Sequence, residues 1–600
     1  MRMADLSSFP PGADLDADVV IVGGGPAAYA VASGLKGVSL DVLILESGLG
    51  EQSPPHEALN TVISVGEPAG AERLARRNAF HGGGMPDWPA AQQGFGVRRR
   101  GLGGSSEVWS GKSAAFDESD FEARAWVKHS GWPFSKAHLQ PFIDRAAEML
   151  NLGPNHYDDE LWEAIGASPP EPRLDPEVLR SFFWQFARAR HDRMDFVRFK
   201  RAFATLEAPN LRIVLNATVR SLVPAASGAS VQALEAVAIG GGVYQVRAKM
   251  FVIAAGAIET PRLLLNSSRL TGHPFGNAHD QVGRFLMDHP SATIGSFRLA
   301  DCAAINRRFG FYGVSHHGQT HMYQHGLALS PALQAREGLL NCAAFMMERR
   351  APDDPWGALK RLIRRQSAQP FADGLAVAMG SSLVLRGAAS RLVTSRAWPD
   401  RLNRRLIDLL IRRAPNTVVR EYRDRGLPHK LTGIDIDAIT EQRPDPQSRV
   451  ALSETLDPLG VPVARVDWRI DDQASRSLIR IGQLIKQQFA SAGLPQPVLA
   501  AWVVNESPAD AAIIDMAHTA GTTRMGTGLT ESVVDPNSAV HGLDNLYLAG
   551  ASVFPTVGHA NPTLMILAMS IRLADHLRER LRARERPSRL GHDAAEAIGS

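Results

Sequence analysis

Cysteine is almost missing from this chain. Cys302 and Cys342 are the only two in 600 residues. Neither stands in a paired metal-ligand spacing, so the sequence argues against a disulfide framework and against a structural zinc site. A cytosolic setting is expected on the same ground. Long apolar runs are lacking too: no stretch supplies the roughly 20 apolar residues that a membrane-spanning helix needs. The opening MRMADLSSFPPGADLDAD has acids and prolines where a secretory leader would carry a basic segment and an apolar run. Charge is close to balanced, with a formal net charge of +3, so nothing calls for a nucleic-acid partner. What remains is an ordinary globular composition, 44% hydrophobic. The chain is long enough for at least two structural units with a buried cofactor between them.

The first organised stretch runs from Ala17 as ADVVIVGGGPAAYAVASGLKGVSLDVLILESG. It reads as apolar strand, glycine turn, small-residue helix and second apolar strand ending in an acid, which is a βαβ unit. Gly23 and Gly25 allow a tight turn and the close approach of a pyrophosphate, while Ala28 fills the third fingerprint position, where helix and strand pack closely. The helix N-terminus offers unpaired N–H groups and partial positive charge to phosphates. Glu46 ends the second strand at the distance where a carboxylate accepts from both ribose hydroxyls. The fingerprint by itself does not separate FAD from NAD.

Further pieces of the same grammar lie far along the chain. Arg98 to Gly111, RRRGLGGSSEVWSG, is a basic, glycine and hydroxyl cluster able to bring backbone amides against a diphosphate or a flavin edge. Its plain alternative is a surface turn. NLRIVLNATVRSL from Asn210 and VYQVRAKMFVIAA from Val243 read as strands, the second running into Gly256 and a helix start at Pro261. NLYLAGASVFPTVGHANPTLMILAMSIRLADHL near the C-terminus is a third strand, turn and helix.

With FVIAAGAIETPRLLLNSS, EQRPDPQSRVALS, HTAGTTRMG and GHANPT, these segments resemble the glucose-methanol-choline (GMC) oxidoreductase family over most of the chain. The resemblance implies an α/β fold: a Rossmann-type FAD-binding domain assembled from discontinuous segments, plus a substrate domain built on an antiparallel sheet. The expected division is 14–290 for the first part of the FAD domain, 291–509 mainly for the substrate domain, 510–580 for the C-terminal part of the FAD domain, and 581–600 for a flexible tail. The implied cofactor is FAD, held by Gly23, Gly25, Ala28, Glu46, Gly103, Gly104, Ser105, Ser106, Trp109, Val219, Ala255, Gly256, Gly550, Ala551, Asn561, Pro562 and Thr563. Family members with covalent flavin at the glycine-serine loop carry a histidine where this chain aligns Val108, so noncovalent FAD is expected.

The implied reaction is oxidation of an alcohol, which requires a base near the hydroxyl as hydride leaves for flavin N5. Matching the two C-terminal motifs puts the base at His518 and its hydrogen-bonding companion at Asn561, with His559 as the second candidate. Their plain alternatives are a structural histidine, and for Asn561 an N-cap ahead of Pro562. A helix starting at Pro562 would aim its positive end at the flavin. The implied partners are a small-molecule alcohol such as a sugar, glycoside or polyol, and an electron acceptor: oxygen, a quinone or a redox protein. The opening fingerprint also fits an NAD(P)H-dependent flavin monooxygenase, and a nonenzymatic flavin-binding interaction protein is the third reading.

Between the cofactor segments, EQRPDPQSRVALSETLDPLGVPVARVDWRI reads as antiparallel strands. SHHGQTHMYQHG sets His317, His321 and His325 at four-residue intervals, but Gly318 and β-favouring neighbours argue for a strand and against a metal-binding helix. The basic stretches ALKRLIRRQ and RLNRRLIDLLIRRAP between Ala358 and Arg413 are read as solvated faces over a buried apolar stripe. A peripheral contact with a membrane or an acidic partner is the alternative.

Overall fold

The computed structural model describes residues 2–65, 70–85, 87–191, 195–393, 419 and 428–596. The basic stretch RLNRRLIDLLIRRAP lies outside them.

The strand Asp14–Val22 is buried through Val19, Val20, Ile21 and Val22, the continuous apolar run of a strand covered on both faces. Its sheet runs, in spatial order, Arg2–Asp5, Leu211–Leu215, Val42–Leu45, Asp14–Val22, Val243–Ile253 and Leu546–Leu548, with every neighbouring pair parallel. Strands separated by hundreds of residues become neighbours here, and the inner ones bring short apolar segments that the sheet buries. The early half of Val243–Ile253 also pairs antiparallel with Val231–Val237, which pairs with Thr218–Pro224. The segment expected as one strand over 210–222 is therefore two. The chain turns between them at Asn216, whose φ of 55° lies in the left-handed region that asparagine tolerates.

The second sheet orders Val498–Leu499, Ser291–Arg298, Leu431–Thr440, Cys342–Arg350, Gln319–Leu329, Leu179–Phe186 and Lys112–Ser113, and Phe311–His316 also pairs with Gln319–Leu329. All of these pairs are antiparallel. Alternation assigns its faces. Ala344 and Met346 pack with Leu478, Ile481, Leu484, Ile485 and Phe489 of the helix Asp472–Ser491. Ala343 and Phe345, with Phe182 and Trp184, turn to the other side and join the core shared with the parallel sheet. The inner face is therefore an aromatic wall against the first domain. A small sheet of Val62–Val65, Pro462–Asp467 and Arg449–Leu456 lies beside the helix Ala71–Gly84 in the chain and includes the expected antiparallel pair.

The linear division of the chain needs correcting. Lys112–Ser113 and Leu179–Phe186 fall inside the 14–290 segment yet belong to the second sheet, and Arg2–Asp5 precedes residue 14 yet belongs to the first. Strand pairing is decided by which edge is open in space, not by nearness in sequence. The segment expected as a flexible tail from 581 is helical as far as Glu596, as the end of a helix that begins at Thr563. Its Arg, Leu, Glu and Ala residues are strong helix formers. His317 sits at the turn of the hairpin Phe311–His316 and Gln319–Leu329, not on a helix, and His321 and His325 follow on its second strand.

Candidate active site

The glycine turn after Asp14–Val22 ends at the helix Pro26–Gly34. Gly23 has φ +109°, and a Cβ there would stand 2.6 Å from the Ala254 carbonyl oxygen, so the turn is pressed against the end of Val243–Ile253. Glu46 accepts from Gly24 N at 2.6 Å and Gly48 N at 2.7 Å, which fixes the carboxylate at the strand end. Gly103 N donates to Gly24 O at 2.8 Å, and a Cβ on Gly104 would lie 3.2 Å from Gly25 Cα. The Gly103–Ser106 loop thus rests directly on the turn. Val219 follows Thr218, whose hydroxyl lies 2.6 Å from that of Ser47. Ala255 and Gly256 start the helix Gly256–Thr271. A Cβ on Gly550 would lie 3.8 Å from Ala27 Cβ, and Ala551 O accepts from Gly521 N at 3.0 Å.

These positions converge around one cradle. A Cβ at Gly25 or Gly256 would meet nothing within 4 Å. Open space beside two helix N-termini, with a fixed carboxylate at the adjoining strand end, fits a dinucleotide such as FAD. Some of the nominated residues are engaged elsewhere. Ser106 donates to Gly103 O at 2.6 Å and accepts from Phe199 N at 3.2 Å, and Ser105 is exposed with its hydroxyl accepting from Arg99 N. Trp109 donates through Nε1 to Val197 O at 2.8 Å.

The chemical groups meet where the C-terminal motifs return to the second sheet. Asn561 Nδ2 lies 3.1 Å from His518 Nε2. Ile566 N bonds Pro562 O at 2.9 Å, so Pro562 and not Asn561 occupies the cap position of the last helix. The Asn561 amide is spent on His518 rather than on the helix. His559 is buried beside Phe182, ring centroids 4.4 Å apart. Neither of its ring nitrogens has a hydrogen-bond partner, and the nearest acid, Asp117, is 4.0 Å from Nδ1. Burial pushes the His559 imidazole down to about 3.

Sequence reasoning missed several neighbours. His289 Nδ1 lies 2.9 Å from His518 Nδ1. Asp288 accepts from the amides of His289 at 2.7 Å, Met516 at 2.9 Å and His518 at 2.9 Å, so a single carboxylate locks together the two backbone segments that carry the histidines. Burial and then the charge of Asp515 raise the Asp288 carboxyl to about 8 against the pull of those amides. Asp515 accepts from Arg77 Nε at 2.6 Å and lies 3.4 Å from His81 Nε2. Burial would raise its carboxyl, but His81 and Arg77 outweigh that and hold it well below the usual range. Burial pushes the His518 imidazole well below its ordinary value, and His289, Lys112 and His81 push it further against the opposing charge of Asp515. His289 is lowered to about 4 by burial, opposed by the backbone of Val557 and Gly558. Lys112 stands on the aromatic wall, Nζ 3.5 Å from the Phe345 centroid and 4.2 Å from that of Trp184. Burial takes it from 10.5 to about 7. The one local signal was the buried acid-histidine pair in FLMDHP, which carries no spacing rule of its own.

A parallel-sheet dinucleotide domain packed against an antiparallel substrate sheet, with a histidine and an asparagine at their junction, defines a two-domain FAD-dependent oxidoreductase. Two family models described as GMC oxidoreductase match residues 188–291 and 444–570 of this chain. It is 23% identical to the fructose dehydrogenase large subunit of Gluconobacter japonicus over 94% of this chain and 97% of that one. It is 24% identical to the paromamine 6′-oxidase of Streptomyces fradiae over 93% and 90% of the two chains. The fold matches an FAD-dependent oxidoreductase from Chaetomium thermophilum with TM-score 0.52 and 16% identity, over 94% of this chain and 100% of that one.

Proposed function

We propose that this enzyme oxidises an alcohol group of a small hydroxylated molecule, such as a sugar, glycoside or polyol, to a carbonyl, with His518 as the base. The observation that carries the reading is the pair of contacts on His518. Nδ1 is engaged by His289, while Nε2 faces the Asn561 amide nitrogen. An amide N–H directed at Nε2 requires a lone pair there, so the proton of the neutral ring sits on Nδ1. Nε2 is therefore the basic atom. With a substrate hydroxyl between them, Nε2 takes its proton while the Asn561 N–H holds the oxygen, which becomes the carbonyl oxygen as hydride leaves the carbon. FAD bound in the glycine cradle supplies the two-electron acceptor. The aromatic wall of Phe182, Trp184 and Phe345 lines one side of this junction, with Phe182 against His559.

Noncovalent attachment is part of the proposal. Val108, at the position aligned with the flavin-linking histidine, has no nucleophilic atom. Oxygen, a quinone or a redox protein then removes the electrons. Support for the substrate class comes from the fructose, paromamine and other small alcohols named in the relatives.

The test is anaerobic mixing of the flavin-loaded protein with a panel of alcohols while flavin absorbance is followed. Bleaching by alcohols and none by NADPH is expected. Rapid bleaching by NADPH with no response to any alcohol would overturn the reading in favour of a monooxygenase. Flavin that stays in the acid-precipitated pellet would overturn noncovalent attachment.

A further inference from the structure

Strands Cys342–Arg350 and Leu431–Thr440 are antiparallel neighbours, paired from Cys342 with Thr440 to Arg350 with Leu431. A short turn would join such strands, yet residues 351–430 intervene. The insertion is fastened at its base by Asp354, whose carboxylate accepts from Gly357 N at 2.9 Å and Lys430 N at 2.8 Å and lies 3.0 Å from His429 Nδ1. Its first helix, Pro355–Ile363, buries Pro355 and Ala358 and exposes Lys360, but it also leaves Ile363 in solvent.

The next helix, Pro370–Met379, is inside out. Its solvent face is Phe371, Ala372, Gly374, Leu375, Ala378 and Met379, while the side it buries carries only the small Ala376 and Asp373, the latter held by Arg361 Nε at 3.0 Å. Phe371, Leu375 and Met379 are 87%, 52% and 77% exposed and form one stripe, at the four-residue spacing that lines up side chains on a helix. Ile363, at the end of the preceding helix, and Leu385, on the following helix Ser381–Val393, are 73% and 70% exposed. A helix meeting water shows the reverse pattern. The segments on either side of this helix, whose helices pack against it, carry the exposed cations Lys360, Arg364, Arg365 and Arg386, and Asp373, turned inward, is the only acid between 360 and 386.

We propose that this face docks on an anionic phospholipid bilayer, with the apolar stripe lying in the headgroup plane and the cations on the phosphates. An apolar stripe collared by Lys and Arg is the arrangement that binds such an interface. No helix among the described residues is long and apolar enough to cross a membrane, so the contact is in-plane. Two copies of the face would oppose cation to cation, which disfavours self-association. The stripe has no hydrogen-bonding side chain with which to orient a folded partner, and a fluid apolar layer needs none. The proposal is independent of the catalytic assignment.

The test is flotation of the FAD-loaded full chain with phosphatidylcholine vesicles, with and without phosphatidylglycerol. Co-flotation with the anionic vesicles is expected. It should fall about tenfold or more in the Phe371→Ser, Leu375→Ser, Met379→Ser variant, and become insensitive to salt when Lys360, Arg364, Arg365 and Arg386 are changed to Gln. Unchanged flavin absorbance in both variants certifies their fold. The proposal is overturned if the parent protein stays in the aqueous fraction, if the serine variant floats as well as the parent, or if the serine changes instead convert a dimer to a monomer.

Discussion

His289 and His518 meet through their Nδ1 atoms, 2.9 Å apart; His289 is buried and His518 half-buried, and desolvation lowers both imidazoles. Two neutral imidazoles in that contact share one proton. With a lone pair required on His518 Nε2, the shared proton belongs to His518 and His289 accepts it. His289 then carries its own proton on Nε2, a buried atom without a hydrogen-bond partner among the described residues, while the backbone of Val557 and Gly558 raises its basicity. His289 is thus a positioning residue: it fixes the tautomer and the ring plane of the proposed base.

Replacing the base should separate chemistry from cofactor binding. His518→Ala is expected to keep its flavin and lose about 10²–10⁴-fold in the rate of alcohol-driven bleaching. Asn561→Ala is expected to lose about 10²–10³-fold through the missing donor. Single-turnover reduction checks both, and an effect confined to His559→Ala would move the assignment to that residue.

The His289 contact predicts a change in pH profile as well as in rate. Burial and then His289 lower the His518 imidazole, so the base stays unprotonated well below pH 6.5 and activity should not decline as pH falls through that value. In His289→Asn the acid limb of kcat/KM should move up toward pH 6.5, with kcat lower by up to about a hundredfold from misplacement of the ring. A purely structural role would lower the rate without moving the limb.

Lys112 should leave its own mark. Its folded value of about 7 lies below its unfolded value of 10.5, so between these limits the unfolded chain binds more protons and stability rises with pH. Below pH 7 the whole cost is present. Lys112→Met should therefore stabilise the protein by about 1–4 kcal/mol at or below neutral pH. The gain should shrink as pH approaches 10.5, as seen in thermal melts across that range. The same substitution should remove any inflection near pH 7 from the rate profile.

The glycine turn gives a contrast between neighbours. Gly23→Ala places a Cβ 2.6 Å from Ala254 O at φ +109°, and should cost about 1–3 kcal/mol of stability and lower flavin occupancy. Gly25→Ala meets nothing within 4 Å, so the fold should keep its melting temperature while the crowded cradle loses flavin. Melting curves read against the flavin-to-protein absorbance ratio distinguish the two.

The sequence by itself determined the cofactor segments. The turn at Gly23 and the acid at Glu46 are short stretches whose backbone demands are local, and they stand where their spacing implied, whereas the helix after Val243–Ile253 starts at Gly256 rather than Pro261 and the last helix at Thr563 rather than Pro562. The His518 and Asn561 pairing was legible only through resemblance, since nothing in 42 intervening residues connects them. Tertiary structure alone decided the rest. Lys112 and Leu179–Phe186 crossed to the second sheet because its open edge takes them there. Asp288 became the lock between the histidine segments because burial makes its carboxylate seek every nearby amide. His289 joined the site because that lock brings it against His518, a contact across 229 residues that no periodicity encodes.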